Sequence, residues 1–99
     1  MGTRLETLAA VLREARALLA IPDNCFAWSS WRSSAKALAE MDAAIAMCDA
    51  GGTPDIERLK LLFAPTGAIQ EVSISSGWAE EFLAVAKRFD SAIGCQDVP

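Results

Sequence analysis

Leu5, Leu8, Leu12, Ala15 and Leu19 step along the chain by three, four, three and four residues, with Val11 and Leu18 flanking the row. That period is the apolar stripe of a bundle helix and fits no strand. Thr3 followed by Glu6 makes a capping box at its start, where hydroxyl and carboxylate each satisfy a backbone N–H that has no intrahelical partner. The helix is expected over 3–20, because Pro22 cannot continue it and Pro22-Asp23-Asn24 is turn chemistry.

The alternation returns in Trp31, Ala35, Leu38, Asp42, Ile45 and Asp49, with Ser29 or Ser30 as the cap and Gly51-Gly52 as the stop. Two positions of that seam are aspartates. Ser34, Met41 and Cys48 form the adjacent row, so the apolar centre rotates toward them and leaves Asp42 and Asp49 at its edge. There they either pair with Arg13 or Arg16 of the first helix or point at a partner. Thr53-Pro54-Asp55 combines a cap, a proline in the first turn and an early acid, which opens a third helix over 54–64 with Ile56, Leu59, Leu62 and Phe63 inward.

Within 68–74, Val72 and Ile74 alternate with polar neighbours as in a strand, yet a lone strand would leave its backbone groups unsatisfied. A short helix or irregular turn is expected instead. The last helix is placed over 78–93, with Trp78, Phe82, Val85, Phe89 and Ile93 on one face. Glu80 and Glu81 near its start and Lys87 and Arg88 toward its end suit the helix dipole. Gly94 closes it and 95–99 is a loose tail. Ninety-nine residues allow one domain. The expected fold is therefore all-α, a compact four-helix bundle with a short extra helical turn before the last helix.

The chain has no histidine, and so lacks the most usual general base and the commonest metal ligand. Ser33 and Lys36 match the S-x-x-K pattern of serine acyl-enzymes, but the companion S-D-N and K-T-G elements are missing. Gly51-Gly52 lacks the lysine of a phosphate loop. No enzymatic activity, metal or cofactor is expected. Cys25, Cys48 and Cys95 are odd in number and form no C-x-x-C pair, which points to passive thiols in a reducing compartment. The apolar run 8–21 is interrupted by Arg13, Glu14 and Arg16, so no membrane span is expected and the expected location is cytoplasmic.

Thirteen acidic against nine basic residues give a net charge of −4, which disfavours nucleic acid as a partner. The asymmetry is sharper than the sum. No basic residue lies between Lys36 and Arg58, while Glu40, Asp42, Asp49, Asp55 and Glu57 do. Such a stretch is either an ordinary solvated face or a surface that attracts a basic partner.

The segment Phe26-Ala27-Trp28-Ser29-Ser30-Trp31 has an echo in Ser75-Ser76-Gly77-Trp78. In both, serines are placed to cap a helix and a tryptophan to roof one end of the core, with Phe26 and Trp28 covering it from outside. The competing role is an exposed aromatic anchor for a partner.

FAWSSW, together with the block LFAPTG, QEV, SSGW, EF and RFD between Leu62 and Asp90, resembles a family of small bacterial helical proteins with no assigned activity. A capping box at the second helix would place an acid three residues after the capping serine, where this chain has Ser33. Members of that family are similar in size to the immunity proteins encoded beside bacterial toxins. The resemblance supplies no catalytic residues. Small size, the lack of a catalytic constellation, the expected cytoplasmic location and the asymmetric acidity together suggest a protein that acts by contact, as an immunity protein or antitoxin that neutralises a cognate toxin. The candidate contact residues are Trp28, Glu40, Asp42, Met47, Asp49, Asp55 and Glu57. The alternatives are a helical module that self-associates through an alanine-rich face, and a small-ligand sensor.

Overall fold

The computed structural model describes residues 4–26, 31, 33–64 and 67–93. They form five helices, α1 Arg4–Leu19, α2 Ser34–Asp49, α3 Ile56–Phe63, α4 Ala68–Ser76 and α5 Ala79–Ile93, and no strand among the described residues. The fold is all-α, and the extra turn foreseen before the last helix is a nine-residue helix of its own.

The leucine row of α1 is the centre of the molecule. Leu8, Leu12, Ala15 and Leu19 are buried, together with Ala9 and Val11. One face of α1 packs on α2 and another on α5; α5 in turn packs on α4, and α4 on α3. The helices thus follow one another in space as α2, α1, α5, α4, α3, which leaves α2 and α3 at the two ends of the series. Aromatic stacking ties α3 back to the core, since the Phe63 ring lies parallel to that of Phe89 with centroids 4.1 Å apart.

Helix α2 starts later than the sequence suggested. Ser33 is its N-cap, in extended conformation, and its side chain accepts the Lys36 backbone N–H at 3.3 Å. The S-x-x-K match is therefore a helix cap. Trp31 stands ahead of the helix because its indole N–H donates to Glu40 Oε1 at 2.9 Å. Nine residues of continuous helix would separate the two by about 13 Å along the axis. The buried face of α2 is Ala37, Met41, Ile45 and Cys48, rotated away from Asp42 and Asp49 as the adjacent row implied. Burial raises the Cys48 thiol above its ordinary pKa, with the nearby Asp49 charge adding to the effect. Gly51, at a φ of 85°, ends the helix in the left-handed region. Helix α3 begins two residues after Pro54, with Asp55 as the cap, its carboxylate accepting the Arg58 backbone N–H at 3.1 Å.

In α4 the strand-like alternation dissolves. Ile69, Val72 and Ser73 are buried on one helical face while Ile74 points outward. The Ser73 hydroxyl, fully enclosed, donates to the Gln70 side chain or carbonyl, 2.6 and 2.8 Å away. The echo of serines before a tryptophan has a different structural basis from the one expected. Ser75 and Ser76 end α4, Gly77 turns the chain at a φ of 89°, and Ser76 Oγ accepts the Cys25 backbone N–H. Ser29 and Ser30 lie outside the described residues.

Trp31, Trp78 and Phe26 are all buried, as a roof over the core requires. The Trp78 indole N–H donates to Asn24 Oδ1 at 2.8 Å, and Asn24 Nδ2 donates in turn to the carbonyls of Leu18 and Leu19. One turn residue thereby satisfies the C-terminal end of α1 and anchors the start of α5. No helix among the described residues is long and apolar enough to cross a membrane.

Candidate functional site

The acidic stretch is divided by the fold into two faces. On the face toward α1, Arg13 reaches Asp49 at 2.5 Å and Arg16 reaches Asp42 through both its Nε and Nη2 atoms. Both aspartates are thus held by the first helix. The Arg16 hydrogen bond keeps the Asp42 carboxyl below its ordinary pKa and raises that of the guanidinium. These pairs are exposed, so they orient α1 against α2 more than they stabilise the fold.

On the opposite face, Glu40 meets Arg58 of α3. The guanidinium engages the carboxylate twice, Nε to Oε2 at 2.5 Å and Nη2 to Oε1 at 2.9 Å. Glu40 also accepts the Trp31 indole N–H. The Arg58 bonds hold the Glu40 carboxyl below its usual value against the opposing effect of partial burial, and Trp31 adds to the lowering. Two separate pieces of chain, the Trp31 segment and α3, converge on this one carboxylate of α2.

Beside that clasp, α2 and the start of α3 do not close on each other. Between them lies a groove of about 300 Å³, lined by Ala43, Ala44, Met47, Pro54 and Leu59, with Glu40, Asp55 and Arg58 at its polar edge. The cause is visible in the side chains. Ala43 and Ala44 are too short to fill the space toward α3, and the bridge across the seam is an ion pair in place of interlocking apolar ridges. Met47 is 48% exposed here, a flexible thioether suited to adapting to a partner surface.

Three of the residues singled out from the sequence, Glu40, Met47 and Asp55, are therefore gathered at one groove. Asp42 and Asp49 are turned to α1. Glu57, 86% exposed in its side chain, has Lys60 as a loose partner at 3.6 Å. Trp28 lies outside the described residues. Arg58, the hinge of the site, was not singled out; its signal was its position as the first base after the acidic run, eighteen residues from Glu40. Among the described residues no group of three or more Cys, Asp or Glu is placed to hold a metal ion. No protein-family model matches the chain, and neither does any curated protein or solved structure.

Proposed function

We propose that this chain acts by protein contact, as an immunity protein or antitoxin that neutralises a cognate bacterial toxin. In this reading the groove between α2 and α3 is the contact surface. The observation that supports it is the partly open seam itself, where an exposed methionine and an apolar floor sit beside carboxylates on two rigid helices. An apolar centre with a polar rim is the usual anatomy of a binding patch. Its acidic edge suits a basic surface, and attraction of that kind speeds encounter more than it deepens affinity. The test is co-expression of the chain with the product of the adjacent gene, followed by calorimetry of the purified pair. Protection of the cells together with saturable binding supports the proposal, whereas a toxic neighbour that is neither bound nor neutralised removes it.

A second reading, self-association, is favoured by the outer face of α2. Ala35, Ala39, Ala43, Ala46 and Ala50 are all exposed there at helical spacing, and small side chains allow close approach of a second helix. Light scattering at rising concentration decides between the two, since a strict monomer excludes self-association.

A further inference from the structure

The geometry points to Met47 as the site at which hydroperoxides modify this chain, forming a sulfoxide that leaves the wall of the α2–α3 groove and weakens its hold on a partner. The loss of contact rests on the function proposed above, whereas the chemistry of the site does not.

The two methionines of α2 are placed differently. Met41 is fully buried, while Met47 is 48% exposed and forms part of the groove wall. The Met47 thioether lies against Gly52, since a Cβ on that glycine would stand 2.7 Å from Met47 Sδ. The Gly52 N–H in turn donates to the Met47 carbonyl at 2.9 Å. Backbone and side chain of Met47 thus both hold the turn that leaves α2, and the glycine brings no side chain to shield the sulfur on that side. Cys48, one residue further on, competes poorly for an oxidant. It is buried, and its raised pKa keeps it from the thiolate form that reacts.

In the reaction a lone pair of Met47 Sδ attacks the terminal oxygen of the hydroperoxide. An S–O bond forms, the O–O bond breaks, and the proton of the attacked oxygen passes to the leaving oxygen, which departs as water or an alcohol. Sulfur gives up one electron pair and the peroxide is reduced by the same pair. The product is polar and chiral where the thioether was apolar. Its oxygen finds no side-chain donor on Ala43, Ala44, Pro54 or Leu59, and Arg58 is engaged with Glu40 through Nε and Nη2. An oxygen left without a donor in the groove costs free energy that contact with water removes. The oxidised side chain therefore turns outward, and the groove loses one apolar wall.

The test treats the whole folded chain with hydrogen peroxide, and then with dithiothreitol to restore sulfenic acids and disulfides but not sulfoxides. Peptide mass mapping is expected to show Met47 oxidised at least about a hundredfold faster than Met41, which reacts only in molecules that have opened. In NMR the Gly52 amide should shift on oxidation and return after treatment with methionine sulfoxide reductases for both sulfoxide epimers. Met47→Leu keeps an apolar side chain of similar volume, and its Gly52 amide should not respond to peroxide. Where the adjacent gene product binds, the sulfoxide should lower its affinity about tenfold, the scale of one apolar side chain removed from a contact, and Met47→Leu should bind equally before and after peroxide. The inference is overturned if Met41 and Met47 react at comparable rates, if the Gly52 amide stays in place, if Met47→Leu responds as the wild type does, or if the neighbour binds oxidised and reduced chains alike. The last result leaves the inhibitor reading standing. A neighbour that binds neither form removes that reading, and the mass and NMR results then decide the oxidation site by themselves.

Discussion

At the scale of single residues, Glu40 does more than its neighbours in the acidic run. Its carboxylate is shared by Trp31 and Arg58, and it is held below its ordinary pKa. The unfolded chain therefore takes up the proton first as pH falls. The stabilisation is complete above the unfolded value of about 4.3 and is lost as pH drops through the lower folded value. Glu40→Gln keeps an acceptor for Trp31 and loses the ion pair. It should cost about 0.5–1 kcal/mol at neutral pH in urea denaturation, a figure reduced for solvent screening at half-exposed Arg58. Its stability should also fall less than that of the wild type on acidification. Asp42 and Asp49 behave otherwise, being open to solvent. Replacing both with asparagine should produce only a small change in the denaturation midpoint, which vanishes at high salt. If the contact patch is the α2–α3 groove, partner affinity is also unchanged. Which acids would be internally paired was only half legible. The seam position of Asp42 and Asp49 pointed at Arg13 and Arg16, but no local pattern connects Glu40 to an arginine eighteen residues away.

At the scale of elements, α1 and the apolar face of α5 could be read directly, because Leu8, Leu12, Phe82, Val85 and Phe89 repeat at helical spacing over several turns. Helix starts were less legible. Several serines and threonines offer equivalent caps in sequence, and tertiary partners decide among them, as Trp31 does by bonding Glu40 ahead of the α2 cap at Ser33. The nine-residue α4 was the hardest. The residues of α4 show a period of two by eye, and only its burial between α3 and α5 selects the helix. Its entrance is also closely packed. A Cβ on Gly67 would stand 2.2 Å from the Leu61 carbonyl oxygen and 2.6 Å from that of Leu62, and backbone atoms cannot swing aside. Gly67→Ala should lower stability by about 1–3 kcal/mol. Gly77→Ala meets open space but a left-handed backbone, and should cost about 1–2 kcal/mol. Thermal melts of the two variants beside the wild type check both values.

At the scale of the whole molecule, the most extensive helix contacts form a series with α2 and α3 at its ends. What joins those ends is the Glu40–Arg58 clasp beside a groove. The all-α class was legible from periodicity, capping and turn residues. The order of packing was not, because alanine-rich faces such as that of α2 suit several neighbours equally. The groove was legible in its residues, Glu40, Met47 and Asp55, and not in its cause, the space left by Ala43 and Ala44. Phe63 holds α3 to α5 by stacking on Phe89. Phe63→Ala should therefore destabilise the protein by about 3–5 kcal/mol in urea denaturation, loosening the wall of the groove with it. The most direct measurement is hydrogen–deuterium exchange of the chain alone and in complex with the adjacent gene product. The account predicts slowed exchange concentrated at 43–47 and 55–59, with the exposed flank of α5 unchanged. A complex that protects α5 or the α1 side of α2 and leaves those two segments untouched would contradict it.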